Sequence, residues 1–201
     1  MKEDLPTFWD NKRSGLDGVP DHPTPFALKV WPYIKENKVQ TLLEIGSGKG
    51  ADALFFTQNG VKVTATDISP LAVKNIKKYI PGIEAEAISA TDLKFPDESF
   101  DAIYARLSVH YFKDKETSEI FENMHRMLKN GGLILIECKS TKDPEYGVGE
   151  KIEKDTYKAG YMKHFFSQDY FKEKAKRFEI IQLTEEMSQP KSPKKKAGLP
   201  I

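Results

Sequence analysis

The sequence has few cysteines, no long apolar run and no excess of charge, and each shortage excludes a class of protein. Cys138 is the only cysteine, which excludes an internal disulfide and any zinc or iron–sulfur site built from several cysteines. No apolar run approaches the roughly 20 residues of a membrane-spanning helix. Residues 1–15, MKEDLPTFWDNKRSG, contain no apolar core of signal-peptide length. We therefore expect no membrane contact and a cytoplasmic location.

The charges nearly cancel. Lysine and arginine total 31 against 30 aspartate and glutamate, for a net charge of +1, so no overall field attracts nucleic acid, and a small or neutral partner is favoured. The histidines are dispersed, at His22, His110, His125 and His164, and no metal site is expected. With 201 residues and 39% hydrophobic content, the chain fits one domain with one sizeable core.

Short apolar runs alternate with stretches of helical spacing from residue 41 onward. The predicted strands are TLLEI (41–45), VKVTATD (61–67), IEAEAIS (83–89), FDAIYAR (100–106) and LILIECK (133–139). The predicted helices between them are ADALFFTQN (51–59), PLAVKNIKKYI (70–80) and KETSEIFENMHRML (115–128). A repeated strand–helix–strand order predicts a doubly wound α/β fold, with a mostly parallel sheet and helices on both faces.

The two ends of the chain are less regular than its middle. We expect one domain over residues 1–186, in which residues 1–37 form an aromatic cover and residues 140–166 form an insertion over the site. FEIIQLTEE (178–186) reads as a last strand. Residues 187–201 carry four lysines and no acid, which predicts a disordered tail.

A glycine-rich turn comes directly after the first predicted strand, in TLLEIGSGKGADAL (41–54). Gly46, Gly48 and Gly50 permit unusual backbone torsions and let a ligand approach the main chain closely, at the sheet edge where such folds bind ligands. The alternative is a tight turn without a ligand. The string also fits the dinucleotide pattern G-x-G-x-x-G/A, with Asp67 as the ribose-binding acid, whereas a Walker phosphate loop is excluded because no Gly-Lys-Ser/Thr stands at the required spacing.

The residues around this turn resemble a known family. Glu44 completes the string E-x-G-x-G-x-G, which resembles the first motif of the class I S-adenosylmethionine-dependent methyltransferases. VTATDIS with Asp67, ATDLKFPDESFDAIYA (90–105) and LKNGGLILIE (128–137) are similar to the family's later motifs, in the same order. The resemblance covers residues 39–139, about half the chain, and implies a Rossmann-like methyltransferase fold with S-adenosylmethionine as cofactor.

The resemblance also implies roles for individual residues. Asp67 is expected to accept hydrogen bonds from the ribose hydroxyls and Asp92 from the adenine amine, with Glu44 and Arg106 near the aminocarboxylate. Each acid has a structural alternative: Asp67 can cap the helix at Pro70, Asp92 can close a turn, and Glu44 can pair with a surface lysine. The full cofactor-binding prediction is Glu44, Gly46, Ser47, Gly48, Gly50, Asp67, Ile68, Thr91, Asp92, Leu93 and Arg106.

The segment after the fourth strand narrows the identity of the methyl acceptor. ARLSVHYF lacks the Asn/Asp-Pro-Pro-Tyr/Phe string, and Cys138 lacks a preceding proline, which weighs against methylation of DNA or RNA bases. Cys138 is interpreted as a small buried hydrophobe. His110 is the candidate base or acceptor-orienting donor, with a packed histidine as the alternative. The outer segments resemble the tellurite-resistance and thiopurine methyltransferases, which implies a soft nucleophile (a thiol or chalcogen oxyanion) or a small amine, methylated by in-line displacement.

Two other functions stay open at the level of sequence. One is an NAD(P)-dependent oxidoreductase. The other is a noncatalytic S-adenosylmethionine-binding or RNA-associated protein that uses PKSPKKKA as an electrostatic handle. The family's sheet closes with an antiparallel hairpin, yet only residues 178–186 supply an apolar run here. Three alternatives stay open for the final strand: it is absent, it comes from another chain, or it is present and the sequence pattern does not identify it. The protein is expected to be a monomer or a homodimer.

Overall fold

A five-stranded parallel sheet forms the centre of the protein. In a computed structural model of the chain, which describes residues 5–186, its strands are β1 (Thr41–Ile45), β2 (Lys62–Asp67), β3 (Glu84–Ala87), β4 (Phe100–Arg106) and β5 (Leu128–Glu137). They pair in the order β3-β2-β1-β4-β5, always in parallel. The winding direction reverses between β1 and β4, where such sheets open a binding crevice. The predicted doubly wound α/β fold is confirmed.

Helices cover both faces of this sheet. The described residues form α1 (Leu5–Arg13), α2 (Pro25–Glu36), α3 (Ala51–Gln58), α4 (Pro70–Tyr79), α5 (Asp114–Met127) and α6 (Gln168–Lys174), with a 3₁₀ turn at Val109–Tyr111. One apolar core joins α2, α3 and α4 to the sheet, and the second joins α5 and α6 to the opposite face. Helices α2 to α6 therefore pack apolar side chains against the sheet, whereas α1 has no buried residue and belongs to neither core.

The central strands β1 and β4 are mostly apolar because both of their faces are buried. In β1, Leu42 packs in the first core and Leu43 in the second; in β4, Tyr104 and Ile103 divide in the same way. Successive side chains of a strand point to opposite faces, so a parallel strand between two helical layers needs apolar residues on both of them. This packing holds the carboxyl ends of β1, β2 and β4 in a fixed arrangement around the crevice.

A small antiparallel sheet lies within the predicted insertion 140–166. It consists of β6 (Glu150–Glu153), β7 (Thr156–Ala159) and β8 (Tyr161–His164). The ring of Tyr161 lies 5.7 Å from the ring of Trp9 and 5.4 Å from that of Tyr111. These contacts attach the insertion to α1 and to the 3₁₀ turn after β4.

The prediction of a strand at FEIIQLTEE (178–186) is wrong, because this segment forms no strand in the structure. Its alternate residues contact α2 through their side chains instead: Tyr33 donates to Gln182 at 2.6 Å, and Lys29 donates to Glu186 at 2.5 Å. Ile181 is 69% exposed. The alternating pattern thus reflects one side lying on a helix, without backbone pairing to β5.

Three further expectations concern the edge of the sheet, the lysine-rich tail and contact with a membrane. Within residues 5–186, the sheet ends at β5 and no antiparallel hairpin extends it. The predicted lysine-rich tail, 187–201, lies outside the described residues. In the described part of the chain, none of the helices has the length and apolar character that crossing a bilayer requires.

Candidate active site

The glycine turn after β1 is built from glycines with positive φ. Gly46, Gly48 and Gly50 have φ of +79°, +55° and +82°, a region that other residues rarely adopt. A Cβ at Gly46 would lie 2.5 Å from Cβ of Ser108, and one at Gly50 would lie 2.8 Å from Cγ1 of Ile76. Packing therefore requires bare backbone at both positions, and at Gly46 the missing side chain also leaves the main chain accessible from the cavity described next.

A cavity of about 470 Å³ opens beside this turn. Seven of the predicted cofactor-binding residues line it: Glu44, Gly46, Ser47, Gly48, Asp67, Ile68 and Arg106. The N-terminal region, Asp52 and the segment after β4 line it as well, notably through Trp9, Arg13, His22, Thr24, Asp52, Ser108, Tyr111 and Phe112. The structure thus brings most of the predicted residues together at the carboxyl ends of β1, β2 and β4.

Some predicted residues do not line the cavity. Gly50 faces Ile76 of α4, and Leu93 is 3% exposed within the second core. The Asp92 side chain is 60% exposed and its Oδ1 lies 3.2 Å from Nζ of Lys94. Thr91 bonds to Ser89 through its hydroxyl, at 2.8 Å. The cavity wall in this region consists of Ile88 and Ala90, so the roles of Thr91, Asp92 and Leu93 stay predictions.

Asp67 ties the second strand to the glycine turn. The backbone N–H of Gly48 donates to its Oδ2 at 2.8 Å, and the N–H of Ser69 donates to its Oδ1 at 2.9 Å. The cap of α4 is Ser69, whose hydroxyl accepts from Ala72 N–H at 3.1 Å. The capping alternative therefore does not describe Asp67, although the carboxylate does order this loop. Each oxygen retains a second lone pair for a ligand.

Glu44 is a buried acid whose hydrogen-bonding capacity is not fully used. It is 3% exposed, and its Oε2 has no hydrogen-bond partner. Burial raises its pKa to about 8, with further increases from the nearby Asp52 and Asp67 carboxylates, while a hydrogen bond from Ser47 and, to a smaller extent, the charge of Arg106 oppose the rise. A surface pair with lysine is thereby excluded as its role. The orphaned oxygen is available to a hydrogen-bond donor or cation that enters the cavity.

Arg106 already has an anionic partner. Its Nε lies 2.7 Å from Oε2 of Glu137 and forms an ion pair with it. Burial raises the pKa of Glu137, while Arg106 opposes that rise. Arg106 therefore enters the cavity with its charge largely compensated.

Asp52 is a site residue that sequence reasoning missed. It is 5% exposed on α3 and accepts hydrogen bonds from the backbone N–H and the hydroxyl of Thr24, at 2.7 and 2.8 Å. The hydroxyl of Tyr104 donates to it at 2.7 Å, and burial followed by the Asp52 charge raises the pKa of Tyr104. The signal in the sequence was an acid on the buried side of a helix directly after the turn. This network fixes the N-terminal region against α3 and β4.

His110 and Cys138 lie outside the cavity lining. His110 is completely buried with both ring nitrogens unpartnered, and burial together with Lys139 and Lys163 lowers its pKa to about 3. Cys138 is partly buried, and burial raises its thiol pKa to about 12. These observations favour the packed alternative for His110. Cys138 packs against the second core as a small hydrophobe, although it is partly and not fully buried. Within residues 5–186, no group of three or more acidic, histidine or cysteine side chains is arranged to hold a metal ion.

Proteins with similar sequences include several methyltransferases. Residues 43–136 match the family described as "Methyltransferase domain" (Methyltransf_11). Phosphoethanolamine N-methyltransferase 3 of Arabidopsis thaliana is 30% identical over 125 residues, which cover 59% of this chain and 25% of that protein. Demethylmenaquinone methyltransferase of Chlorobaculum parvum is 30% identical over 111 residues, which cover 55% of this chain and 45% of that protein. The match thus spans from a quarter to just under half of these relatives.

The fold has matching solved structures. An S-adenosylmethionine-dependent methyltransferase from Clostridium acetobutylicum superposes with a TM-score of 0.65 at 14% identity, over 75% of this chain and 78% of that one. At this identity the likeness concerns the fold alone. Residues 43–136 thus resemble a methyltransferase domain in sequence, and the chain shares its fold with this solved methyltransferase.

Proposed function

We propose that this protein binds S-adenosylmethionine in the cavity beside the glycine turn and transfers its methyl group to a small-molecule acceptor. The observation that carries the proposal is the glycine turn beside the Asp67 carboxylate, which line one cavity together. The bare backbone of Gly46 and Gly48 gives a nucleoside close access, and Asp67 can accept hydrogen bonds from both ribose hydroxyls. The match to the methyltransferase-domain family favours a sulfonium nucleoside over a dinucleotide.

The residues of this chain suit each part of that cofactor. The Asp67 carboxylate lies at the end of β2, and each of its oxygens can accept one more hydrogen bond, which suits the ribose diol. The unpartnered Oε2 of Glu44 suits an ammonium group. The bare backbone of Gly46 and Gly48 allows close approach. Apolar side chains at Ile68, Ile88 and Ala90 provide a wall for the adenine ring.

Methyl transfer from a sulfonium depends more on the alignment of the reacting atoms than on removal of a proton. When bound, the cofactor supplies an electrophilic methyl group on a sulfonium, and orientation in such displacements contributes about 7–11 kcal/mol. Tyr111, which lines the cavity, has its phenol pKa raised by burial, and His110 lies outside the lining. We therefore propose that the chain contributes positioning without a dedicated base, which suits an acceptor that arrives with a free lone pair.

The acceptor is proposed to be compact. Cofactor and acceptor share a cavity of about 470 Å³, within the range of about 300–1,000 Å³ that is typical of sites for a single drug-sized ligand. The acceptor side has aromatic walls, at Trp9, Tyr111 and Phe112. The two curated relatives described above are also named for small-molecule acceptors. A soft nucleophile of the thiol or chalcogen oxyanion type fits these properties without a base, and a small amine fits them once it has lost its proton to solvent.

Titration calorimetry tests the cofactor assignment. We expect S-adenosylmethionine and S-adenosylhomocysteine to bind at one site per chain, and NAD and NADP to give no heat of binding. Asp67→Asn provides the matched variant, since it removes the charge and keeps the shape of the proposed ribose ligand. Binding of NAD in place of both sulfur nucleosides would overturn the proposal in favour of the oxidoreductase.

A panel of acceptors tests the second half of the proposal. Thiols, selenite, tellurite, halides and small amines are incubated with cofactor labelled in its methyl group, and incorporation is measured against protein-free controls. The proposal predicts transfer to at least one member of the panel and none to duplex DNA or RNA. Cofactor binding without transfer to any acceptor would favour the noncatalytic alternative.

A further inference from the structure

The turn that leaves β4 contains a leucine in a left-handed conformation. Leu107 has a φ of +48°, which residues with a Cβ rarely adopt. Its N–H donates to the backbone oxygen of Glu137 on β5 at 2.7 Å, so the neighbouring strand holds the turn in place. Backbone strain of this kind persists where the surrounding structure forces it, and it is concentrated at functional sites. The residue that this turn positions is Ser108.

Ser108 lies directly against the glycine turn. Its Cβ lies 2.5 Å, and its Oγ 3.2 Å, from the position that a Cβ would take on Gly46. Both residues line the cavity. The absence of a side chain on Gly46 therefore leaves the room that Ser108 occupies. This contact joins the segment after β4 to the carboxyl end of β1.

The hydroxyl of Ser108 is buried and makes no hydrogen bond. Its Oγ has no partner among the described residues 5–186. Ser108 directly precedes the 3₁₀ turn at Val109–Tyr111, where a serine usually accepts a bond from a backbone N–H, yet its side chain makes no such capping bond. A buried hydroxyl without a partner costs free energy. Packing against Gly46 needs only the Cβ of an alanine, so packing does not account for the hydroxyl.

The order of the strands places Ser108 on the side of the cavity opposite to Asp67. The strand that ends in Asp67, β2, and the strand that precedes Ser108, β4, flank β1 on its two sides. A nucleoside whose ribose lies against Asp67 and whose chain crosses the glycine turn therefore has its sulfonium towards the end of β4. Tyr111 and Phe112 follow Ser108 in the chain and line the cavity as well. Ser108 thus supplies a hydroxyl on the side where an acceptor meets the methyl group.

We propose that the Ser108 hydroxyl donates a hydrogen bond to an anionic methyl acceptor, a thiolate or an oxyanion, and orients it for attack. This inference rests on the proposed function and adds to it a residue that touches the acceptor. A serine hydroxyl has three staggered positions about one bond, so it turns from its covered position towards the acceptor without movement of the backbone. A hydrogen bond to an anion is about twice as strong as one between neutral groups.

The proposed contact requires no transfer of a proton. The acceptor's lone pair forms the bond to the methyl carbon while the sulfur–methyl bond breaks and leaves its electron pair on sulfur. The negative charge of the acceptor and the positive charge of the sulfonium are both lost in this step. The Ser108 hydroxyl keeps its proton throughout, and its contribution is to hold the attacking atom in line with the methyl group.

The test is the kinetics of methyl transfer by the full chain with Ser108→Ala. The anionic probes are 2-mercaptoethanol, which attacks as its thiolate, and selenite; methylamine is the probe that attacks as a neutral molecule. We expect the variant to lower kcat/KM for the better anionic probe about 10- to 100-fold, as for loss of a hydrogen bond to a charged group. Its affinity for S-adenosylhomocysteine, measured by calorimetry, should change less than about twofold.

Thermal stability separates this role from a structural one. Alanine keeps the Cβ that lies against Gly46 and removes only the hydroxyl that has no partner in residues 5–186. We therefore expect the melting temperature of the ligand-free Ser108→Ala protein to equal or exceed that of the parent. A lower melting temperature together with a parallel loss of S-adenosylhomocysteine affinity would show that Ser108 only packs the site, and the proposal would be wrong.

Thr57→Val is the matched control. Thr57 on α3 also has a buried hydroxyl without a partner in the described part of the chain, and it does not line the cavity. We expect this variant to match the parent in kcat/KM for every probe. Equal losses in the Thr57 and Ser108 variants would indicate a general effect of removing a buried hydroxyl and overturn the specific contact.

The remaining outcomes also decide the proposal. If Ser108→Ala leaves kcat/KM unchanged for both anionic probes, the hydroxyl does not touch the acceptor, and the proposal is wrong. A parent that binds S-adenosylhomocysteine but methylates only methylamine, or none of the three probes, overturns the proposal and leaves the cofactor assignment in place. A parent that binds no S-adenosylhomocysteine contradicts the proposed function itself, and this result appears before any variant is made.

Discussion

Raising the pH from 6 to 8 is expected to strengthen S-adenosylhomocysteine binding, because Glu44 must lose a proton to receive an ammonium group. Burial raises the pKa of this carboxyl to about 8 in the free protein. The charged groups that face it are Asp52, Asp67 and Arg106. With that pKa, the ionised fraction is about 1% at pH 6, about 9% at pH 7 and about one half at pH 8. Affinity should therefore rise about 50-fold over this interval.

The same protonation can be counted directly. At pH 7, each binding event should release about 0.9 protons, since roughly nine tenths of the Glu44 carboxyls start protonated. Calorimetric titrations in phosphate and in Tris, which differ in their heat of ionisation, give this number from the difference between the observed enthalpies. Glu44→Gln keeps the size of the side chain and removes the titration, so its binding enthalpy should not depend on the buffer.

Folding stability gives an independent check on Glu44. Its pKa is raised on folding from 4.5 to about 8, so the folded protein holds more protons than the unfolded chain between these values. The free energy of unfolding of the ligand-free parent should fall as pH rises from 5 to 8, by on the order of 3 kcal/mol from this group, and Glu44→Gln should remove that part of the decline. A parent that releases no proton on binding and matches Glu44→Gln at every pH would refute the reasoning.

Three further predictions concern the frame of the site. Asp67→Asn should weaken S-adenosylhomocysteine and methylthioadenosine alike, about 10- to 100-fold; unchanged affinity with only a lower melting temperature would reduce Asp67 to a loop-ordering residue. Gly46→Ala should destabilise the protein by about 2–4 kcal/mol in urea titrations, because its Cβ would meet Ser108 at 2.5 Å. Gly60→Ala, with φ of +86° and no atom within 4 Å, should cost only about 1 kcal/mol, and equal losses would contradict the steric argument. Tyr104→Phe should cost about 1–3 kcal/mol in the same assay, since it removes the donor to the buried Asp52; an unchanged midpoint would count against that network.

The central sheet could be predicted closely from the sequence. Residues 41–45 and 100–106 form strands with the predicted bounds, because a short, mostly apolar run that is buried on both faces is easily distinguished from an amphipathic helix. The same reasoning wrongly predicted a strand at residues 178–186. Its alternation records contacts of Gln182 and Glu186 with α2, and side-chain alternation alone does not reveal whether a backbone pairs with a sheet.

The candidate site was predictable only where local sequence defines it. The turn from Glu44 to Gly48 and the acid Asp67 are fixed by neighbours along the chain, and all of them line the cavity. Arg13 and Asp52 reach the same cavity through contacts between distant segments, such as the bond from Thr24 to Asp52. Such contacts depend on how α1 and α2 pack, which no spacing or composition in the sequence specifies.

A crystal structure of the protein with S-adenosylhomocysteine tests the central claim most directly. We predict that the ligand lies along the glycine turn, with its ribose hydroxyls within hydrogen-bonding distance of the Asp67 carboxylate and its ammonium group against Glu44. A ligand bound elsewhere on the protein, or one in this cavity with its ribose turned away from Asp67, would contradict the account.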